Sequence, residues 1–281
     1  MLALTGLPLL LGSLFMVGLL YAPCAGDRLT PADYGLSAEP VTVSTQAGGS
    51  FRGYFIPGTN GATIIMPPPL ASGRSVRLRE AAMLAKHGYA SLVFESRRCA
   101  NLGQLSLGYR EVEDVAAAVR YLRTRDDVDP DRIGVYGFSS AGATSVMAAA
   151  RLPAIRAVVA EGGYGDFVSE ALAPHGTNLF SDFFLRLYRW AALNTYRVVT
   201  GLDIDRLSPV SVIGEIGPRR ILLVYGSREV SLPGGRRQQA AAGNNAELWI
   251  VNGAGHGDYL TVAPAAYENR IVTFFDEALF D

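Results

Sequence analysis

Short unbroken apolar runs alternate along this chain with longer stretches in which apolar positions recur at helical spacing. The runs at 62–66, 90–94, 133–136, 157–160, 221–225 and 247–251 have the length and β-rich character of strands buried on both faces. Between 107 and 125, Val112, Val115, Ala116, Val119 and Leu122 fall on one helical face, with Glu111, Asp114, Arg120 and Arg123 on the others. Stretches 75–87, 140–151 and 263–279 also read as helices, the first stopped by Gly88. Runs 41–45 and 51–55, split by Gly48-Gly49, predict an opening hairpin. The sum is an α/β fold with a mostly parallel central sheet flanked by helices. Such a sheet carries its site on loops at the carboxyl ends of the strands.

Two segments break this rhythm. Residues 162–217 lie between two buried strands, too long for a structureless loop. Phe180, Phe183, Phe184, Leu185, Leu187, Tyr188, Trp190 and Leu193 within it predict inserted helices forming a lid over about 164–215. The second is 1–22, where Leu2 to Ala22 carry no charged side chain. About 20 apolar residues suffice to cross a bilayer as a helix. The favoured reading is a retained single-pass anchor, and hence a membrane localisation. The alternatives are a signal segment cleaved near Ala22-Pro23-Cys24 to release a secreted protein, and a lipoprotein cysteine at Cys24. A buried core helix is set aside because every face is apolar. Arg28 beside Asp27 leaves almost no positive-inside bias. Residues 23–40, rich in Pro and Gly, read as a linker, and 41–281 as one α/β domain carrying the 164–215 insertion.

Composition narrows the class. The chain has 281 residues, 49% hydrophobic and 18% charged, with a net charge of -1. That fits one globular domain and offers no basic surface for nucleic acid. Lys86 is the only lysine. The two cysteines, Cys24 and Cys99, form no Cys-x-x-Cys pair, which excludes zinc-ribbon and thioredoxin-like readings. They are expected to be free thiols.

The chemistry gathers where the strands end. Val135-Tyr136-Gly137-Phe138-Ser139-Ser140-Ala141-Gly142 leaves a strand and enters a helix, close to the Gly-x-Ser-x-Gly nucleophile elbow. A serine on that strained turn stands above the sheet edge, and the helix amino terminus behind it favours negative charge. Ala141 replaces the second glycine. An ordinary turn with Ser139 as N-cap is the structural alternative. Of the three histidines, His87 sits at a helix end and His175 in the lid segment. His256 lies in Gly253-Ala254-Gly255-His256-Gly257, directly after the last strand. Glu229, the one carboxylate in the loop after 221–225, is the candidate acid that orients the imidazole, with Asp166 as fallback.

These residues resemble the serine α/β-hydrolases, especially their prolyl-oligopeptidase-like and membrane-anchored esterase-like branch. The resemblance covers about residues 30–281. Val128 to Gly137 is similar to the family's approach to the elbow, Gly226-Ser227-Arg228-Glu229 to its Gly-x-x-Asp, and Ala254-Gly255-His256-Gly257 to its histidine loop. Phe94-Glu95-Ser96-Arg97-Arg98 resembles its Asp-x-Arg-Gly-x-Gly loop without the glycines. The family's oxyanion loop usually begins His-Gly; here Met66-Pro67-Pro68-Pro69-Leu70-Ala71 takes its place. Proline has no N–H to donate, so the second oxyanion donor is expected at Leu70, beside the N–H of Ser140.

The resemblance implies acyl transfer to water through Ser139, with His256 as base and Glu229 as orienting acid. A carboxylic ester with an apolar group is the first substrate class, a thioester or small peptide the next. No metal or organic cofactor is implied. Two other readings remain: a catalytically silent α/β-hydrolase fold that binds a ligand or partner at the membrane, and an acyltransferase using the same triad.

Overall fold

The computed structural model describes residues 2–172 and 179–280. Among these, eight strands form one sheet: β1 (Glu39–Ser44), β2 (Ser50–Ile56), β3 (Thr63–Met66), β4 (Ala90–Phe94), β5 (Ile133–Phe138), β6 (Ile155–Glu161), β7 (Arg220–Gly226) and β8 (Ala246–Val251). The helices are α1 (Leu2–Leu20), α2 (Leu78–Lys86), α3 (Tyr109–Leu122), α4 (Ser140–Arg151), α5 (Phe167–Ala171), α6 (Leu179–Thr200), α7 (Pro209–Val212), α8 (Leu232–Ala242), α9 (Tyr259–Val262) and α10 (Pro264–Leu279). The strand order is β1-β2-β4-β3-β5-β6-β7-β8. β1 and β2 pair antiparallel around Gly48 and Gly49, both at positive φ, and β2 joins β4 antiparallel; all other pairings are parallel.

Period-two alternation divides the strand residues between two cores. Ile65, Val135, Val158 and Leu223 face a cluster containing α3 and α4 residues such as Val115 and Val146. Ile64, Tyr136, Val159 and Leu222 face the opposite cluster, closed by Leu84 of α2 and Ile271 and Phe275 of α10. α3 starts where Glu111 turns back to accept from the N–H groups of Ser106 (2.9 Å) and Gly108 (2.8 Å). The chain passes from β3 outward to β4 and then crosses to β5 on the other flank of β3. The loops after β3 and β5 therefore face each other across the crevice where such sheets bind ligands.

The 162–217 segment contains α5, α6 and α7, while α8, unexpected from its two glycines and weak apolar pattern, covers β7 and β8. His175 lies outside the described residues.

Two expectations are corrected. Among the described residues, no helix is long and apolar enough to cross a membrane, which overturns the anchor and the membrane localisation drawn from it. Helix α1 instead lies along α6. Met16 and Leu20 are fully buried, and Ser13 accepts a hydrogen bond from Thr195 at 3.0 Å. Gly12 sits so close that a Cβ there would come within 2.1 Å of the Tyr188 carbonyl oxygen. A charge-free apolar run is written the same way whether it faces lipid or covers protein.

The cysteines are also not free: Cys24 and Cys99 form a disulfide, with Cα atoms 5.0 Å apart. The segment after α1 is held along the domain. Leu105 N–H donates to the Leu20 carbonyl (2.9 Å), Ala25 N–H to the Ala71 carbonyl (2.9 Å), and Asp27 pairs with Arg74 at 2.6 Å. That path brings Cys24 to the loop after β4, within disulfide reach.

Candidate active site

Ser139 stands between β5 and α4 at φ 56 and ψ -126, a positive-φ conformation costly for a non-glycine residue. Its neighbours hold it there. Ser139 N–H donates to the Glu161 carbonyl at 2.7 Å, anchoring the turn to β6. A Cβ on Gly137 would lie 2.2 Å from the Ala141 carbonyl oxygen, and one on Gly142 would lie 2.9 Å from that of Glu161. The close approach of strand and helix thus falls at Gly137 and Gly142. The methyl of Ala141 fits in the core, which accounts for the departure from Gly-x-Ser-x-Gly.

The loops after β5, β7 and β8 bring three predicted residues together. His256 Nε2 lies 3.0 Å from Ser139 Oγ, and His256 Nδ1 lies 2.7 Å from Glu229 Oε1. Phe138 packs against the imidazole with ring centroids 4.7 Å apart. Ser231 O–H donates to Glu229 Oε1 at 2.9 Å, and Gly226 N–H (2.8 Å) and Tyr259 O–H (2.7 Å) donate to Oε2. Burial alone would push the Glu229 carboxyl up. The hydrogen bonds from His256, Gly226, Tyr259 and Ser231 outweigh it and hold the group below its ordinary value, so it stays ionised. Asp166, the alternative acid, instead caps α5 by accepting from Ser169 N–H at 2.8 Å. His87 meets Glu268 at 2.8 Å, far along the chain from these loops.

The two expected oxyanion donors also come together, with one difference. Leu70, at φ 44, lies beside Ser140, but its N–H donates to Ser140 Oγ at 2.9 Å. An incoming carbonyl oxygen must displace that hydroxyl to use the Leu70 donor. The loop after β4 is tied to α3, where Arg97 binds Asp114 through Nε and Nη2 at 3.0 and 3.1 Å, and to the loop after β3, where Ser96 N–H donates to the Ser72 carbonyl at 2.9 Å.

Several contributors carry no sequence motif. Gly162, at φ 56, makes room for the carboxylate–imidazole pair. A Cβ there would meet Glu229 Oε1 and Tyr259 Oη at 2.6 Å and His256 Cε1 at 2.9 Å. Gly162→Ala is therefore expected to displace the pair and lower turnover by about 10²-fold, the typical penalty of a 1 Å misplacement. Unchanged turnover in the variant would refute this. Below the elbow, Glu161 is buried and accepts from Tyr136 (2.9 Å) and Tyr267, with Arg77 3.4 Å away. Burial pushes its carboxyl up despite Arg77.

A cavity of about 760 Å³ opens over Ser139, Ser140 and His256. Its apolar wall includes Leu107, Tyr164 and Phe167, and its rim carries Arg228 and the Arg237–Glu170 ion pair (2.6 Å). This volume is in the range that takes a small organic ligand. Among the described residues, no group of three or more His, Cys, Asp or Glu side chains is arranged to hold a metal ion.

Residues 30–198 match the family described as X-Pro dipeptidyl-peptidase (S15 family). The chain belongs to this family. It is a serine hydrolase of the α/β-hydrolase fold. In sequence it is similar to the uncharacterized protein PA2218 of Pseudomonas aeruginosa, 27% identical over 248 residues that cover 70% of this chain and 67% of that protein. It is also similar to the thiohydrolase apmlB of Arthrinium phaeospermum, 32% identical over 132 residues, 45% of this chain and 43% of that one. In structure this S15-family chain resembles the Pyrococcus furiosus esterase Pf2001, with TM-score 0.68, 20% identity, and coverage of 93% and 98% of the two chains. That likeness concerns the fold.

Proposed function

We propose that this S15-family chain hydrolyses carboxylic esters through an acyl-enzyme on Ser139. One observation carries the reading: the unbroken chain from Ser139 Oγ to His256 Nε2 (3.0 Å) and from His256 Nδ1 to Glu229 (2.7 Å), at the floor of an apolar cavity. His256 takes the Ser139 proton as Oγ attacks the substrate carbonyl. The tetrahedral oxyanion accepts from the N–H of Ser140 and, once the Ser140 hydroxyl turns away, from that of Leu70. Collapse expels the alcohol, which receives the proton from His256. Water then attacks the acyl-enzyme with His256 again as base, releasing the acid and regenerating Ser139. Of the expected lid segment, Tyr164 and helix α5, through Phe167, Ser169 and Glu170, border this cavity.

The ester reading is preferred to a peptide one on the charge of the site. A peptide held by its terminal ammonium needs an uncommitted carboxylate. The two carboxylates lining the cavity, among the described residues, are Glu229, bound to His256, and Glu170, bound to Arg237. A thioester is the second substrate, supported by the thiohydrolase apmlB. The silent-fold alternative is favoured only by the engagement of Leu70 N–H with Ser140.

The test is labelling by a fluorophosphonate alongside Ser139→Ala. Rapid labelling lost in the variant, with ester turnover falling by at least about 10³-fold, is expected. A folded wild-type protein that neither labels nor turns over esters would leave the silent fold. Faster turnover of X-Pro peptides than of esters would move the substrate class to peptides.

A further inference from the structure

Helix α1 belongs to the substrate cavity. Phe15 and Leu19 line it together with Ser139, Ser140 and His256. Three of the chain's exposed large apolar side chains gather there: Phe15 at 41%, Leu70 at 39% and Val230 at 95% exposure. Apolar surface left open beside reactive groups marks a place for an apolar ligand. The helix is held firmly in that position. Gly12 seats it on the Tyr188 carbonyl, Phe15 packs on Tyr188 with ring centroids 5.8 Å apart, and the Cys24–Cys99 disulfide ties down the segment that follows.

We propose that α1 is a wall of the substrate site, and that Phe15 and Leu19 hold the hydrocarbon chain of the substrate and set the preference for long apolar esters. The reaction assumed is the one proposed above. Each methylene taken from water against these side chains contributes roughly a fourfold gain in binding. Removing one large wall residue is expected to cost about 10- to 100-fold on a long chain.

The experiment compares the full-length protein with Phe15→Ala, Leu19→Ala and Val17→Ala. Val17 is on the same helix, exposed, and does not line the cavity. The readout is the ratio of kcat/KM for a long to a short substrate, in p-nitrophenyl esters from acetate to decanoate and in alkyl acetates from methyl to decyl. Phe15→Ala and Leu19→Ala are expected to lower that ratio about tenfold or more in at least one series, relative to Val17→Ala. Leu19→Trp, which fills the space, lowers it as well and guards against loss of α1 docking as the cause. Decanoate binding by calorimetry is measured on the same proteins, so the wall is tested even without turnover. If wild type does not turn over esters but binds decanoate, and Phe15→Ala weakens that binding, the reaction fails and the wall stands. Ratios and decanoate binding that change no more than in Val17→Ala overturn the wall, whatever the fate of the triad.

Discussion

Replacing Glu229 by glutamine is expected to lower kcat by about 10⁴-fold while the fold persists. The reason lies in the donors around the carboxylate. Gly226 N–H and Tyr259 O–H point at Oε2, while His256 Nδ1 and Ser231 O–H face Oε1. A carboxylate accepts from all four; an amide has one oxygen and one NH₂. The Gly226 N–H belongs to the backbone and cannot turn, so the amide oxygen goes to the Oε2 position and the NH₂ faces His256. Nδ1 must then accept, the ring proton moves to Nε2, and the imidazole cannot take the Ser139 proton. The charge that stabilises the imidazolium is lost as well. Steady-state ester hydrolysis and the rate of fluorophosphonate labelling both read this. Asp166→Asn, at the cap of α5, serves as the comparison and is expected to change turnover by less than about threefold. A Glu229→Gln enzyme within tenfold of wild type would mean that another group orients His256.

The second large effect concerns the disulfide. Cys24–Cys99 closes a loop with a sequence separation of 75. Chain-entropy reasoning assigns such a link about 4–5 kcal/mol, through the freedom it removes from the unfolded chain. For a chain of this length that is a fall in Tm on the order of 5–10 °C. Cys24→Ser and Cys99→Ser are expected to show the same loss, and wild type heated with a thiol reductant should match them. The loss has a functional side. The disulfide fixes the segment after α1, whose Ala25 N–H is bonded to the Ala71 carbonyl next to Leu70. Long-chain selectivity should fall with Tm if α1 is a cavity wall. Two thiols reacting with an alkylating reagent in the native, non-reduced protein, together with a Tm indifferent to reductant, would rule the linkage out.

The sequence determined the elements whose signal is local. Unbroken apolar runs of strand length, the one-faced helix expected within 107–125 and found at 109–122, and the Gly48-Gly49 hairpin are read from the order of side chains alone, because the burial of these elements is written locally along the chain. Ser139, Glu229 and His256 were legible for a related reason. Each lies in the connection that leaves a strand of the parallel part of the sheet, and parallel strands deliver their following loops to one edge. Tertiary structure decided what depends on which surface an apolar or small residue meets. Residues 2–20 are equally apolar against lipid or protein, and only their contact with α6 showed a helix packed on the domain and lining the cavity. Cys24 and Cys99 are distant in sequence, so their bond depends on the path taken by the intervening chain. Gly162 clears space for Glu229 and His256 without any motif, because the requirement is an absent atom. The Ser140 hydroxyl reaches Leu70 N–H only because the crossing from β4 to β5 sets the two loops face to face. Local periodicity is written along the chain; the partners of a surface are fixed only when the elements pack.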